Sequence, residues 1–100
     1  KDLKYYQRQF NRIIKARSQT SKTLTAIGFD VIPSQTNFIF ATPSGLSAKD
    51  LFTRLRKQNI ITRWFDTKDC RNWLRITIGT ESEMEKFISS TRAIIKKYSQ

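Results

Sequence analysis

The sequence predicts an α+β (α/β-type) two-layer sandwich: one sheet of four short strands packed with three helices, in the order α-β-β-α-β-β-α. Three observations predict it. Apolar residues recur every three or four positions in long first and last segments. Residues 73–79 alternate between apolar and polar side chains, and Ser47 and Thr80 each stand three residues ahead of an acidic residue where a helical pattern begins. One hundred residues, 38% of them apolar and spread along the whole chain, suit a single domain over 1–100 and oppose disorder, since domains cluster near ~100–150 residues.

The first helix is expected over residues 2–27, where Leu3, Tyr6, Phe10, Ile13, Ile14, Leu24 and Ile27 make one apolar stripe. Lys4, Arg8, Arg12, Lys15 and Lys22 fall on the opposite side. Gly28 suits a left-handed cap, and the Ser/Thr-rich stretch 18–25 invites a kink or fray. Two strands follow over 29–32 and 37–41, joined by 33–36, and 42–46 reads as a loop with Pro43 and Gly45. Ser47 and Asp50 open a second helix that runs to residue 58 with Leu51, Phe52 and Leu55 inward. A third strand over 60–64 and a polar loop over 66–72 lead to the fourth strand. There Leu74, Ile76 and Ile78 share one face, and Trp73, Arg75 and Thr77 the other. Thr80 and Glu83 then cap a last helix to about residue 98, with Met84, Phe87, Ile88, Ile94, Ile95 and Tyr98 inward.

Composition excludes several classes of function. A lone Cys70 and the absence of histidine leave neither an internal disulfide nor a Cys/His zinc site, and a reducing cytoplasmic setting is the simplest home. No apolar run approaches the ~18 residues that span a bilayer, and no basic-then-apolar leader opens the chain, so a soluble, unprocessed domain is expected. A start at Lys1 rather than methionine leads us to expect residues upstream. Lys and Arg outnumber Asp and Glu by 19 to 8, a net +11 that would attract phosphates, nucleic acid or an acidic partner domain. Tyr5, Trp64 and Trp73 could stack on a nucleic acid beside the basic stripe. There is, however, no RNP-like aromatic strand, GXXG loop or helix-turn-helix spacing. A basic nucleic-acid-binding module therefore ranks below the reading that follows, as does a regulatory small-molecule module, to which no residue assigns a ligand. Cys70 beside Arg71 would favour a lowered thiol pKa, but a plain loop cysteine is the simpler reading.

Arg75 is the first candidate for function. It stands mid-strand between core-forming residues, where a guanidinium needs solvent or a partner, and its planar fork matches a carboxylate or phosphate. Arg63, followed by Trp64 and Phe65, ends the preceding strand, and a short loop would bring the two arginines close as an anion cradle. The plainer alternative has Arg75 paired with Asp66 or Asp69 or simply facing solvent, and Arg63 paired with Asp66.

At this point a resemblance enters. The run Trp73-Leu74-Arg75-Ile76-Thr77-Ile78-Gly79-Thr80 resembles the "LRIT-G" strand near the C-terminus of fold-type I, pyridoxal-phosphate-dependent (class I/II) aminotransferases. Ile61-Thr62-Arg63-Trp64-Phe65-Asp66 resembles the "vR-aromatic-F-D" strand of their histidinol-phosphate branch. Leu24 to Asp30, with Pro33-Ser34-Gln35-Thr36-Asn37-Phe38-Ile39, is similar to that branch's "L-x-x-x-G-F-x-V-x-P-S-x-A-N-F". The three are co-linear and cover essentially the whole chain. Thr36 departs from a usually small apolar position and Trp64 from a commoner tyrosine; both bear on substrate rather than fold.

The resemblance implies the C-terminal small domain of such an enzyme, closing over a site built mainly by its own N-terminal large domain and a second subunit of a homodimer. It implies that Arg75 grips the anionic group of a small amino substrate and Arg63 assists. Asn37 matches a family position at the strand start and is the third candidate substrate-binding residue, with a structural role holding loop backbone as its plainer reading. The anion would be the phosphate of histidinol phosphate, or an α-carboxylate in neighbouring branches. Pyridoxal phosphate serves the full-length enzyme, but its Schiff-base lysine, pyridinium partner and phosphate cup would lie in the large domain. No lysine here has the family's cofactor-lysine context, and three glycines make no phosphate loop. This segment alone is therefore expected to hold no cofactor, carry no catalytic residue and be inactive.

Overall fold

The computed structural model describes residues 3–32 and 37–98. The connection expected over 33–36, and with it Thr36, lies outside the described residues, as does residue 2. The elements run α1 (Leu3–Ala26), β1 (Asp30–Ile32), β2 (Phe38–Thr42), α2 (Ala48–Lys57), β3 (Arg63–Trp64), β4 (Leu74–Thr77) and α3 (Glu81–Tyr98). The strands form one antiparallel sheet in the order β1-β2-β4-β3, the expected two-layer architecture.

Local chemistry explains the element ends. At the end of α1 the N–H of Gly28 donates to the Thr25 carbonyl and that of Phe29 to the Leu24 carbonyl, with Gly28 at φ 103°. This is the paired-bond stop that a left-handed residue permits, sealed by buried Phe29 on buried Leu24. Asn59, at φ 64°, ends α2 the same way: its N–H donates to Arg56 and that of Ile60 to Leu55. That stop corrects one expectation. Ile60 is spent on the cap and Ile61 is 82% exposed, so β3 shrinks from 60–64 to two residues. At the other helix ends Ser47 Oγ accepts from the Asp50 N–H, and Thr80 and Glu83 cap each other reciprocally. The expected kink in 18–25 does not occur; Thr23 and Thr25 donate their hydroxyls to the carbonyls of Gln19 and Ser21 within an unbroken helix.

The core lies between one face of the sheet and the helices. Ile39, Ala41, Leu74 and Ile76 meet Leu24 of α1, Leu51 and Leu55 of α2, and Phe87 and Ile94 of α3. Two helical expectations fail here. Tyr98 is turned outward, where its hydroxyl accepts from Arg54 Nε at 3.0 Å. Along α1, only Ala16, Thr20 and Leu24 are buried, while Leu3, Tyr6, Phe10 and Ile14 are exposed. In the first half of α1, therefore, Ile13 is half-buried against the core while the rest of the apolar stripe is exposed. No helix among the described residues is long and apolar enough to cross a membrane.

Candidate functional site

Strand alternation sends every second residue to the sheet face that the helices leave bare. The register places Ile32 opposite Phe40, Phe40 opposite Arg75 and Arg75 opposite Arg63, one row across all four strands. The parallel row Val31–Ala41–Leu74–Trp64 points the other way, into the core. Directly opposed residues of an antiparallel pair have Cα atoms ~5 Å apart, so Arg63 and Arg75 rise side by side from one face.

Neither arginine has an ion pair among the described residues. Asp66 instead approaches Arg71 Nε at 4.0 Å, a loose pair of two exposed side chains. Arg75 is half-buried, and its Nε has no hydrogen-bond partner. Its guanidinium lies near two aromatic rings: the central carbon is 5.1 Å from the Phe38 ring centre and 5.5 Å from that of Phe65. Phe38 is in turn met edge-on by Phe40, at 5.6 Å between centres and 88° between planes. Next to Phe65, the Trp64 indole donates to the Arg71 carbonyl at 2.8 Å, which ties β3 to the turn leading into β4. The chemistry on offer is anion binding: two forked cations with no internal counter-charge on a partly apolar floor.

Asn37 is not brought alongside them. Its carbonyl accepts from the Ile78 N–H at 2.6 Å, which extends the β2–β4 ladder, and its side chain is exposed at the strand start. Sequence reasoning missed Phe38 as a neighbour of Arg75, although the pattern Phe38-Ile39-Phe40 beside Leu74-Arg75-Ile76 carries the signal. With Ile39 and Ile76 inward, both phenylalanines must share the arginine's face.

The class I and II aminotransferase model matches residues 1–90. The chain belongs to that family. It is 39% identical over 97 residues to a histidinol-phosphate aminotransferase of Clostridium botulinum (strain Okra), covering 97% of this chain and 27% of that protein. The crystal structure of the histidinol-phosphate aminotransferase from Clostridium acetobutylicum shares the fold, with a TM-score of 0.83 at 23% identity over 97% of this chain and 30% of that one. A decarboxylase from Sulfurospirillum multivorans is similar too, with a TM-score of 0.79 at 25% identity over 92% of this chain and 27% of that one. The chain thus spans 27% of the length of the curated relative it matches, and the family expected from the three sequence strings is the one found.

Class I and II aminotransferases use pyridoxal phosphate in their full-length form, and the group supplies the electron sink for chemistry at an amino-bearing carbon. It calls for an amine to carry it and a carboxylate for its ring nitrogen. The row Ile32–Phe40–Arg75–Arg63 offers neither, and Lys49 stands elsewhere, 5.7 Å from the centre of the Trp64 ring. The residues of this face do not fit the cofactor.

Proposed function

We infer that this chain is the C-terminal small domain of a pyridoxal-phosphate-dependent aminotransferase, and that its bare sheet face holds the anionic end of the substrate. One observation carries the reading: Arg63 and Arg75 stand directly opposite each other, on the uncovered face, without a carboxylate for either among the described residues. Like charges set opposite each other across a sheet are destabilising, so the arrangement serves a ligand better than it serves the fold. The similarity to histidinol-phosphate aminotransferases supports a phosphate monoester as that anion, and amino transfer between histidinol phosphate and a 2-oxo acid as the reaction. The chemistry is supplied from the rest of the protein, including a large domain and a second subunit. The exposed apolar half of α1 and the bare sheet face are the surfaces on which such neighbours would rest.

What this chain's residues do is bind and orient. Two guanidinium forks fix the phosphate by parallel hydrogen bonds, which sets the distance and direction of the amino end at the far side of the substrate. Because the anchor is remote from the reacting carbon, its binding energy goes into positioning. Closure of this face over the substrate would also exclude water around the ion pair and strengthen it.

The experiment is Arg75→Ala in the full-length protein, assayed with histidinol phosphate. Loss of one partner from a desolvated charge pair costs ~2–5 kcal/mol, so kcat/KM should fall by about two to three orders of magnitude. Arg75→Lys should restore little, because a point charge lacks the fork. Unchanged kinetics in Arg75→Ala would end the proposal. The similarity to a decarboxylase favours a second reading, an α-carboxylate in the same cradle. On that reading the loss would appear with α-amino acids and not with histidinol phosphate.

A further inference from the structure

We propose that Phe38 and Phe65 are positioning residues that hold the Arg75 guanidinium in place while leaving its hydrogen-bond donors free for the anion. The proposal rests on the assignment of Arg75 as the anion anchor. An arginine needs something to fix a long, flexible side chain, and the usual device, a neighbouring carboxylate, would consume its donors and cancel its charge. Among the described residues that device is absent. The guanidinium carbon instead lies 5.1 Å and 5.5 Å from two ring centres, within the ~6 Å over which a cation is drawn to an aromatic face. Nε is buried and makes no hydrogen bond, so the rings, not a polar network, define where the head sits. A ring face attracts the whole delocalised cation without accepting its in-plane N–H groups strongly. The charge and the fork therefore both remain available.

The two rings come from different elements. Phe38 opens β2, and the edge of Phe40 fixes its angle at 88°. Phe65 follows β3 directly and is 42% exposed. Phe38 is thus the more enclosed of the two rings and Phe65 the more exposed. Desolvation strengthens a cation–ring contact, so the cradle should tighten when a large domain or substrate covers Phe65.

The test uses the full-length, cofactor-loaded enzyme in the variants Phe38→Leu, Phe38→Tyr, Phe65→Leu, Phe65→Tyr and Arg75→Ala. KM and kcat are measured with histidinol phosphate, and the inhibition constant with inorganic phosphate. Leucine keeps an apolar side chain and removes the ring's negative face, and tyrosine keeps that face. Each leucine variant should raise KM and the phosphate inhibition constant together, about 3- to 30-fold from the known range of cation–ring energies, and by more than it lowers kcat. Each tyrosine variant should return both to within about threefold of wild type. Should Phe38→Leu lower the melting temperature through lost packing, exposed Phe65 decides alone. If Arg75→Ala weakens phosphate while Phe65→Leu leaves it unchanged, or if tyrosine fails to rescue, the positioning role is overturned and the anchor stands. If Arg75→Ala itself leaves phosphate inhibition unchanged, the anchor and this proposal fall together.

Discussion

The two faces of the sheet are built by the same four strands and obey the same alternation, yet they end in opposite physical states. On the covered face Val31, Ala41, Leu74 and Trp64 line up and join the helices in the core, with Ala41 and Leu74 wholly buried. One residue along, Ile32, Phe40, Arg75 and Arg63 line up with no other described element above them. The first row packs internally against the helices, with Val31 and Trp64 partly buried at its two ends. The second is satisfied by nothing in the described chain: it opposes two cations, strands one buried N–H, and leaves Ile32 49% exposed. A strand thus separates two tasks by a single residue step. The cost of the bare face is the clearest physical sign that something outside this segment completes it.

Neighbouring residues of β4 give the widest contrast. Leu74→Ala in the 100-residue chain should lose ~2–5 kcal/mol of stability by opening a cavity among Ala41, Trp64 and the helices. The same measurement on Arg75→Ala should show a far smaller loss. Equal losses in urea denaturation would mean that Arg75 is a packing residue and that the two faces are not different in kind. A subtler probe turns the bare row toward self-sufficiency. Arg63→Glu would set a carboxylate directly opposite Arg75, and a favourable cross-strand charge pair is worth ~0.2–1 kcal/mol. The denaturation midpoint should therefore rise, while the full-length enzyme carrying the change should lose its affinity for inorganic phosphate. A variant both less stable and unaltered toward phosphate would break the inference that this pair of arginines trades stability for binding.

Much of this contrast was legible in the sequence, because both faces follow from period-two alternation and both helix starts from capping residues. Arg75 stood out for the same reason: a cation in the middle of a buried strand is costly without a partner. What escaped were properties that depend on a neighbour rather than on a pattern. The stripe Leu3, Tyr6, Phe10 and Ile14 has correct helical spacing, but spacing does not say whether the surface that covers it belongs to this segment. Ile60 has the right character for a strand and is taken by the cap of α2. Tyr98 has helical spacing too, yet it meets Arg54 instead of the core. The rings that approach Arg75 come from β2 and the end of β3, far apart in sequence. Only the β1-β2-β4-β3 strand order makes them neighbours.

The smallest expected effect lies where the two rows are fixed in place, at the turn from β4 into α3. The Thr80 N–H donates to Glu83 Oε1 at 2.8 Å, and the Glu83 N–H donates to Thr80 Oγ1 at 3.2 Å. Gly79 leaves room for this, since a Cβ there would stand 2.5 Å from that carboxylate oxygen. The backbone bond from Thr80, then its hydroxyl, hold the Glu83 carboxyl below the ordinary value of 4.5. A folded-state pKa lowered in this way means that the folded chain binds the proton less readily than the unfolded one. The stabilisation is complete above the unfolded value and is lost as pH falls through the lowered folded value. Glu83→Gln keeps an acceptor oxygen but removes the charge. The gap in urea midpoint between wild type and this variant should stay level from pH 7 to about 5 and close on further acidification. Because the cap sits beyond both rows, the change should leave phosphate binding by the full-length enzyme untouched. A shift in phosphate affinity larger than the shift in midpoint would mean that the start of α3 is coupled to the bare face, and the division of labour between the two sides of the sheet would have to be redrawn.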